Sequence, residues 1–89
     1  MVWKVNFTGK AEKQVGKLPQ KERDLLVRLV MDLQLHGAVQ TKWRNYSKLT
    51  NDKHHCHLSY RWVACWQVLD GKLKLIEICY AGSRENAPY

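Results

Sequence analysis

The chain has 89 residues, enough for one domain with a single modest core and too few for two. Lysine and arginine number 15 against 8 acidic residues, so the formal net charge is +7, which favours a polyanionic partner such as nucleic acid or an acidic protein. The ordinary hydrophobic content, 45%, excludes a disordered chain.

Targeting features are not evident in the sequence. The longest apolar run is too short to span a bilayer, and the N-terminus lacks the zones of a signal peptide. The 3 cysteines form no CxxC pair, which favours reduced, buried thiols. We therefore expect a cytoplasmic protein with no membrane partner, in which residues 1–89 form one domain.

The first half of the chain predicts a strand followed by two helices. Apolar and polar residues alternate over residues 3–7, as in a strand with one buried face. Residues 10–18 are a short helical candidate, and Pro19 suits the first turn of a new helix. In residues 20–36, Leu and Val recur at helical spacing up to Gly37, a natural stop. The two helices should form a hairpin.

The second half predicts a run of short antiparallel strands rich in Val, Ile, Tyr and Trp. These segments are residues 43–49, 53–58, 61–69 and 72–80. Asp70-Gly71 is a strong signal for a two-residue hairpin turn. The element order predicts an α+β fold: an N-terminal strand, a helical hairpin and a three- to four-strand antiparallel sheet with the helices packed on one face.

A two-residue turn at Asp70-Gly71 decides which side chains of the last two strands share a face. Arg61 then lies opposite Tyr80. One face carries an apolar set for the helices to cover, with Glu77 as an exception: Trp62, Ala64, Trp66, Val68, Leu73, Leu75 and Cys79. The other, which we call the open face, carries Arg61, Val63, Cys65, Gln67, Lys74, Ile76, Ile78 and Tyr80.

Residues 54–57 read HHCH, four potential metal ligands in a row. Side chains of a strand alternate between its faces, so only His55 and His57 point the same way. Neither a CxxC nor an HxxxH spacing offers the further ligands that a structural zinc site needs. We therefore predict neither a metal site nor a cofactor.

The loop that follows decides which face receives the histidines. A three-residue loop, residues 58–60, places His57 opposite Arg61 and Cys56 on the apolar face, whereas a loop of two residues inverts the strand. We prefer the former, which brings His55, His57 and Arg61 to the open face with Tyr80. The alternative that the histidines are ordinary exposed strand residues stays open.

Histidines beside an arginine on a basic protein are the groups needed to cleave RNA without a metal. Imidazole, with an unperturbed pKa of about 6.5, can take the proton of a ribose 2′-OH, whose oxygen then attacks the adjacent phosphate. Arginine stabilises the pentacoordinate state, and a second group protonates the leaving 5′ oxygen. Tyrosine or tryptophan can stack on an unpaired base.

The C-terminal half carries several distinctive features: the segment YRWVACWQVLD, the Asp70-Gly71 hairpin and a terminal pattern of Gly82, Arg84, Glu85 and Tyr89. Together they resemble the RelE/ParE superfamily of bacterial toxin–antitoxin toxins, on the RelE and HigB side, and the element order extends the resemblance to almost the whole chain. The resemblance implies a ribosome-dependent mRNA endonuclease, or mRNA interferase. Such an enzyme cuts messenger RNA in the 30S A site, inhibits translation and is neutralised by a cognate antitoxin in a hetero-oligomer.

The resemblance also implies catalytic roles. Arg61 and Arg84 match phosphate-binding arginines that stabilise the transition state, and Tyr89 matches a C-terminal tyrosine assigned to substrate orientation or proton transfer. His55 and His57 stand where RelE toxins carry lysines, which leaves the acid and base assignments open. We favour His57 as general base, with His55 assisting or acting as acid.

Other residues and functions complete these expectations. Lys53, His54 and Tyr80 are candidate RNA-binding residues. Conversely, Arg84 can be a surface residue paired with a carboxylate and Tyr89 a frayed terminus. The alternative functions are a non-enzymatic, ParE-like inhibitor of DNA gyrase and a non-catalytic basic nucleic-acid-binding domain. Groups that titrate near neutral pH favour the enzyme.

Overall fold

The computed structural model describes residues 2–89, which form two helices and five strands named here in chain order. The elements are β1 (Lys4–Phe7), α1 (Gly9–Val15), α2 (Gln20–His36), β2 (Ser47–Lys48), β3 (Lys53–His57), β4 (Trp62–Asp70) and β5 (Leu75–Ser83), followed by a 3-10 turn, Arg84–Asn86. The strands make one mixed sheet in the order β1-β5-β4-β3-β2, with β1 parallel to β5 and the other neighbours antiparallel. The predicted α+β architecture is confirmed.

Local sequence signals account for the two helices. Thr8 precedes α1, and its Oγ1 accepts the backbone N–H of Ala11 at 3.0 Å, which satisfies a free donor of the first turn. Gly37 ends α2 with a φ of 85°, a left-handed conformation that glycine adopts without steric cost. No helix within residues 2–89 is long and apolar enough to cross a membrane.

Both helices cover one face of the sheet and enclose the core. Leu26, Leu29 and Leu33 of α2 are buried, because their spacing puts them on one side of the helix. Trp66, at the centre of the sheet, is fully buried beneath them, and its Nε1 donates to the Ala38 carbonyl at 3.0 Å. This packing leaves the opposite face of the sheet without a helix.

The β4–β5 hairpin differs from its predicted form. Asp70 pairs with Leu75, so four residues, 71–74, form the loop instead of two. The Oδ1 of Asp70 accepts the backbone N–H groups of Lys72 and Leu73, both at 2.9 Å. This side-chain cap favours a longer turn over the two-residue type. The predicted pairing of Arg61 with Tyr80 is therefore wrong.

A β-bulge then changes which β5 side chains face the helices. The register shifts at Cys79, which lies between Ile78, paired with Trp66, and Tyr80, paired with Cys65. The extra residue reverses the alternation along β5. Cys79 and Tyr80 therefore both pack on the open face.

The bulge corrects four assignments of the open and apolar faces. Ile76 and Ile78 belong to the core beneath the helices, so their predicted place on the open face is wrong, as is the predicted apolar-face position of Cys79. Glu77 is the side chain that lies on the open side, where its Oε1 accepts the Gln67 amide at 2.9 Å. The predicted apolar face contained one charged exception, Glu77. In the structure Glu77 lies on the open face, so this inconsistency is removed.

The segment before β3 is mostly turns, which corrects the predicted extended conformation of residues 43–49. Only the two residues of β2 pair with β3. The Nε1 of Trp43 donates to the Asp32 carboxylate at 2.8 Å, and the Gln40 amide donates to the Gly37 carbonyl at 2.7 Å. These bonds tie the segment to the end of α2.

Candidate active site

Strand β3 places His55 and His57 on the open face, as predicted. Cys56, between them, packs into the core beneath the helices. The predicted register is wrong by two residues, because His57 pairs with Val63 and not with Arg61. An error of two residues preserves the faces, since side chains alternate with a period of two.

The C-terminal tail folds back over this face. After the 3-10 turn, Ala87 packs against Val63, Cys65 and Tyr80 of the sheet. The ring of Tyr89 then stacks on His55, with a centroid distance of 4.2 Å and an angle of 3° between the planes. The tail thus brings Tyr89 to the histidine pair, although half of its side chain stays exposed.

Arg61 and Arg84 lie together at one end of the histidine pair. The backbone N–H of Arg84 donates to the Arg61 carbonyl at 2.7 Å, which joins the β3–β4 loop to the end of β5. The Arg84 guanidinium lies 5.2 Å from the centre of the Tyr60 ring, a cation–π contact. Both arginines line a pocket of about 390 Å³, which we call the arginine pocket; its other lining residues are Tyr60, Trp62, Ser83 and Glu85.

The environment of His57 favours its neutral form. Burial is the main cause that lowers its pKa, and the positive charge of Arg84 lowers it further. The backbone at Ser59 acts in the opposite direction. A neutral imidazole has a free lone pair, so His57 can accept a proton at neutral pH.

His55 shares these properties. Burial lowers its pKa, and the neighbouring His57, 6.3 Å away between ring centroids, lowers it further. Within the described residues, the Nδ1 atoms of both rings are buried and lack a hydrogen-bond partner. Unpaired buried nitrogens are costly, which is typical of a site that awaits a ligand.

Tyr89 remains protonated at neutral pH. Burial raises the pKa of its hydroxyl, and the nearby thiol of Cys65 raises it further, while Arg84 acts in the opposite direction. The group can therefore donate a proton.

The side chain of His54 does not lie with those of His55, His57 and Tyr89. Its side chain is only 2% exposed and lies on the face covered by the helices, stacked on Trp66 at 6.0 Å. The Tyr46 hydroxyl lies 2.6 Å from its Nδ1. A side chain so enclosed cannot reach an RNA backbone, so the geometry argues against the expected contact.

Lys53 and Tyr80 both belong to the open face, with different exposure. Lys53 is exposed and, by strand alternation, lies on the same side as His55. Tyr80 is 4% exposed, and its hydroxyl donates to the Ser83 carbonyl at 2.6 Å. Its ring therefore supports the tail and has no free face for an RNA base.

His54 is expected to contribute to stability. We expect His54→Ala to lower the free energy of unfolding by about 2–4 kcal/mol, because the stacking and the hydrogen bond with Tyr46 are both lost. The matched control Lys53→Ala removes an exposed neighbour and should change it by less than about 0.5 kcal/mol. Urea unfolding at pH 7.5 measures both. Equal midpoints for His54→Ala and the wild type would contradict the buried placement.

Two contributors were missed in the sequence. Tyr60 was assigned only to a loop, and Arg44 lay in a segment expected to be a strand. The backbone N–H of His57 donates to the Arg44 carbonyl at 2.8 Å, which places that arginine beside the histidine. A basic residue flanked by aromatic ones, as in WRNY, was the available signal.

The thiols near the site are packing groups. Burial raises the pKa of Cys56 and that of Cys65 to about 12, so both keep their protons at neutral pH. A thiol must lose its proton to bind a metal. Within residues 2–89, no three His, Cys, Asp or Glu side chains are grouped so that they could hold a metal ion.

Comparisons with solved structures find this fold in several proteins. A chain of the archaeal RelE–RelB complex from Pyrococcus horikoshii matches with a TM-score of 0.76 and 19% identity, over 98% of this chain and 100% of that chain. A mutant of the E. coli toxin RelE in the free state gives 0.77 and 19%, over 98% and 88%. A chain of the E. coli DinJ–YafQ toxin–antitoxin complex gives 0.73 and 17%, over 100% of both chains.

The matches in structure are not accompanied by matches in sequence. No protein-family model matches this sequence, and no curated protein matches it significantly. The structural agreement nevertheless extends over nearly the full length of both partners and includes the YoeB dimer from Staphylococcus aureus, with a TM-score of 0.73. The chain therefore has the fold of the RelE, YoeB and YafQ toxins of the RelE/ParE superfamily.

Proposed function

We propose that this protein is the toxin of a toxin–antitoxin pair and an endoribonuclease that cuts messenger RNA in the ribosomal A site. The observation that supports it best is the arrangement on the open face. There, neutral His57 lies within the field of Arg84, and Tyr89 stacks on His55 beside it. This set contains a proton acceptor, a phosphate-binding cation and a proton donor.

His57 is the general base of the proposed reaction. Its neutral ring takes the proton of the ribose 2′-OH, and the 2′ oxygen forms a bond to the adjacent phosphorus. Arg84, which favours the neutral ring beforehand, does not oppose the transfer once the phosphate is bound, because the substrate's negative charge offsets the cation. The proton then resides on His57.

The two arginines stabilise the charge that develops on phosphorus. A planar guanidinium donates two parallel hydrogen bonds to phosphate oxygens and stays charged at every relevant pH. Arg61 and Arg84 line one pocket, so a phosphate there can contact both. The pentacoordinate state carries more charge than the substrate, and the arginines therefore stabilise it more strongly.

The leaving 5′ oxygen takes its proton from Tyr89, with His55 as the supporting group. Tyr89 carries a proton at neutral pH, whereas the lowered pKa of His55 leaves that ring mostly unprotonated. The bond from phosphorus to the 5′ oxygen breaks, and the products are a 2′,3′-cyclic phosphate and a 5′-hydroxyl. All protons move between the RNA and side chains, so the scheme requires no metal.

A cognate antitoxin is the proposed protein partner, in a toxin–antitoxin hetero-oligomer in the cytoplasm. Two of the similar chains were solved in complexes named RelE–RelB and DinJ–YafQ. The formal charge of +7 favours an acidic, flexible antitoxin segment that orders on binding.

Cell-free translation with mapping of mRNA ends tests the proposal. The wild type should stop translation and produce new 5′ ends within the translated codons, and should leave the same message intact when ribosomes are omitted. An intact message together with inhibited DNA supercoiling would contradict the proposal and favour the gyrase inhibitor.

A further inference from the structure

A second basic concavity includes His57 in its lining. This cavity of about 480 Å³ is open to solvent between α2 and the segment before β3. We call it the basic groove; its polar and aromatic lining includes Lys21, Arg28, Lys42, Trp43, Arg44 and His57. Four of these residues carry a permanent positive charge, and Asp32 is the acidic residue in the lining.

The helix contributes one wall of the groove through its own periodicity. Lys21 and Arg28 are seven residues apart, close to two helical turns, and therefore lie on one side of α2. Both side chains are exposed. They line the groove together with Lys42 and Arg44, which are also exposed and belong to the opposite wall.

The opposite wall is held in place by hydrogen bonds at both ends. The Trp43 indole donates to Asp32 of α2 at 2.8 Å, and the Arg44 carbonyl accepts the His57 N–H of β3 at 2.8 Å. Asp32 keeps its negative charge and offsets one of the four cations, so the lining remains net positive. The positive groove is thus built into the fold before any ligand binds.

The basic groove and the arginine pocket are separated by a single loop. His57, Leu58 and Ser59 line the groove, whereas Tyr60 and Arg61, the next two residues, line the pocket. The two concavities therefore adjoin along the β3–β4 loop. The groove reaches the candidate active site through His57, whose side chain is only 8% exposed.

We propose that the basic groove binds a second phosphate of the same RNA strand, on the α2 side of His57, while Arg61 and Arg84 bind the scissile phosphate on the other side. The inference rests on the proposed function for the identity of the strand. Its physical basis is independent: preformed cationic walls attract a polyanion and orient it, without reading its sequence. Trp43 adds an aromatic wall on which a base can stack.

RNA is favoured over an acidic protein as the occupant because of this continuity. A strand bound in the arginine pocket has to continue past the β3–β4 loop, and the groove offers the next positive surface beside it. Binding there would also fix the 2′-OH near His57, since a strand held at two phosphates has less freedom to rotate than one held at one.

Salt-dependent binding of a non-cleavable RNA tests the groove. We use a fluorescent six-nucleotide RNA with a 2′-O-methyl group on each ribose, so that no 2′-OH can attack. The variants are Arg28→Gln, Lys42→Gln and the double substitution, and the matched control is Lys72→Gln in the distant β4–β5 loop. The slope of log affinity against log salt should decrease in each single variant and by about 0.7 in the double variant, the contribution of one phosphate.

The control should keep the wild-type slope, because it removes the same charge far from the groove. A second ligand, a dinucleotide with one phosphate, should bind wild type and groove variants alike. A double variant with the wild-type slope for the longer RNA would overturn the inference. Because the RNA cannot be cut, this outcome is separate from the proposed function, which fails only if the wild type leaves ribosome-bound mRNA intact.

Discussion

We expect His57→Ala to slow cleavage of ribosome-bound mRNA by about 10²- to 10⁴-fold, the usual contribution of a general base. The substitution removes the neutral ring that accepts the 2′-OH proton and leaves the phosphate-binding arginines in place. Cleavage under single-turnover conditions, with the protein in excess over programmed ribosomes, measures the chemical step. Binding to the ribosome should change little.

The matched control is His36→Ala. His36 is an exposed histidine in the last turn of α2, outside the arginine pocket and the basic groove, and its loss should leave the rate unchanged. Far-ultraviolet circular dichroism verifies that both variants are folded. If His57→Ala cleaves as fast as the control, His57 is not the base.

The pH profile gives a second test of the base. Burial and Arg84 lower the pKa of His57 below its ordinary value of 6.5. The fraction of neutral ring therefore rises as pH rises through this lowered pKa and is complete at neutral pH. The wild-type rate should increase with pH below 6.5 and become constant above it, and the midpoint should lie below that of an exposed histidine.

The face of β3 could be predicted from the sequence, because alternation separates Cys56 from the histidines and the three-residue loop was preferred for placing the cysteine in the core. Cys56 is apolar and its neighbours are not, so the core receives the cysteine and the open face receives His55 and His57. The predicted pairing partner was wrong by two residues. That error does not change which side chains share a face, because side chains alternate between the faces with a period of two residues.

The register of β4 with β5 could not be predicted in the same way. The dipeptide Asp70-Gly71 suggested a two-residue turn, but the Asp70 carboxylate caps a loop of four residues instead. The bulge at Cys79 then reverses β5, since it places both isoleucines under the helices. A bulge depends on packing across the whole sheet, so the local sequence pattern does not predict it.

The position of the tail and the basic groove depend on contacts between distant parts of the chain. Tyr89 reaches His55 because Ala87 packs on the sheet, and no sequence motif predicts this apolar contact. Arg28 and Lys42 line one groove, and the bond from Trp43 to Asp32 holds the segment of Lys42 to α2. Such convergence requires knowledge of the fold, whereas the family resemblance indicated roles for Arg61, Arg84 and Tyr89 without their contacts.

The second large effect is expected for Arg84→Ala, with a loss of about 10²- to 10³-fold, as for other preorganised groups that stabilise transition-state charge. Arg84→Lys keeps the charge but not the planar pair of donors, so its rate should lie between those of Arg84→Ala and the wild type. Lys72→Ala, in the distant β4–β5 loop, is the control for charge alone.

The pH dependence of Arg84→Ala separates two roles of the arginine. Removing the cation raises the pKa of His57, so the variant should need a higher pH than the wild type to reach its constant rate. At pH 8 the histidine is neutral in both proteins, and the remaining loss measures contact with phosphate.

If the loss disappears at pH 8, Arg84 acts only by keeping His57 neutral. If the loss persists undiminished and the midpoint stays in place, the arginine acts only on the phosphate. We expect both effects, because Arg84 lowers the pKa of His57 and also lines the pocket that would bind phosphate.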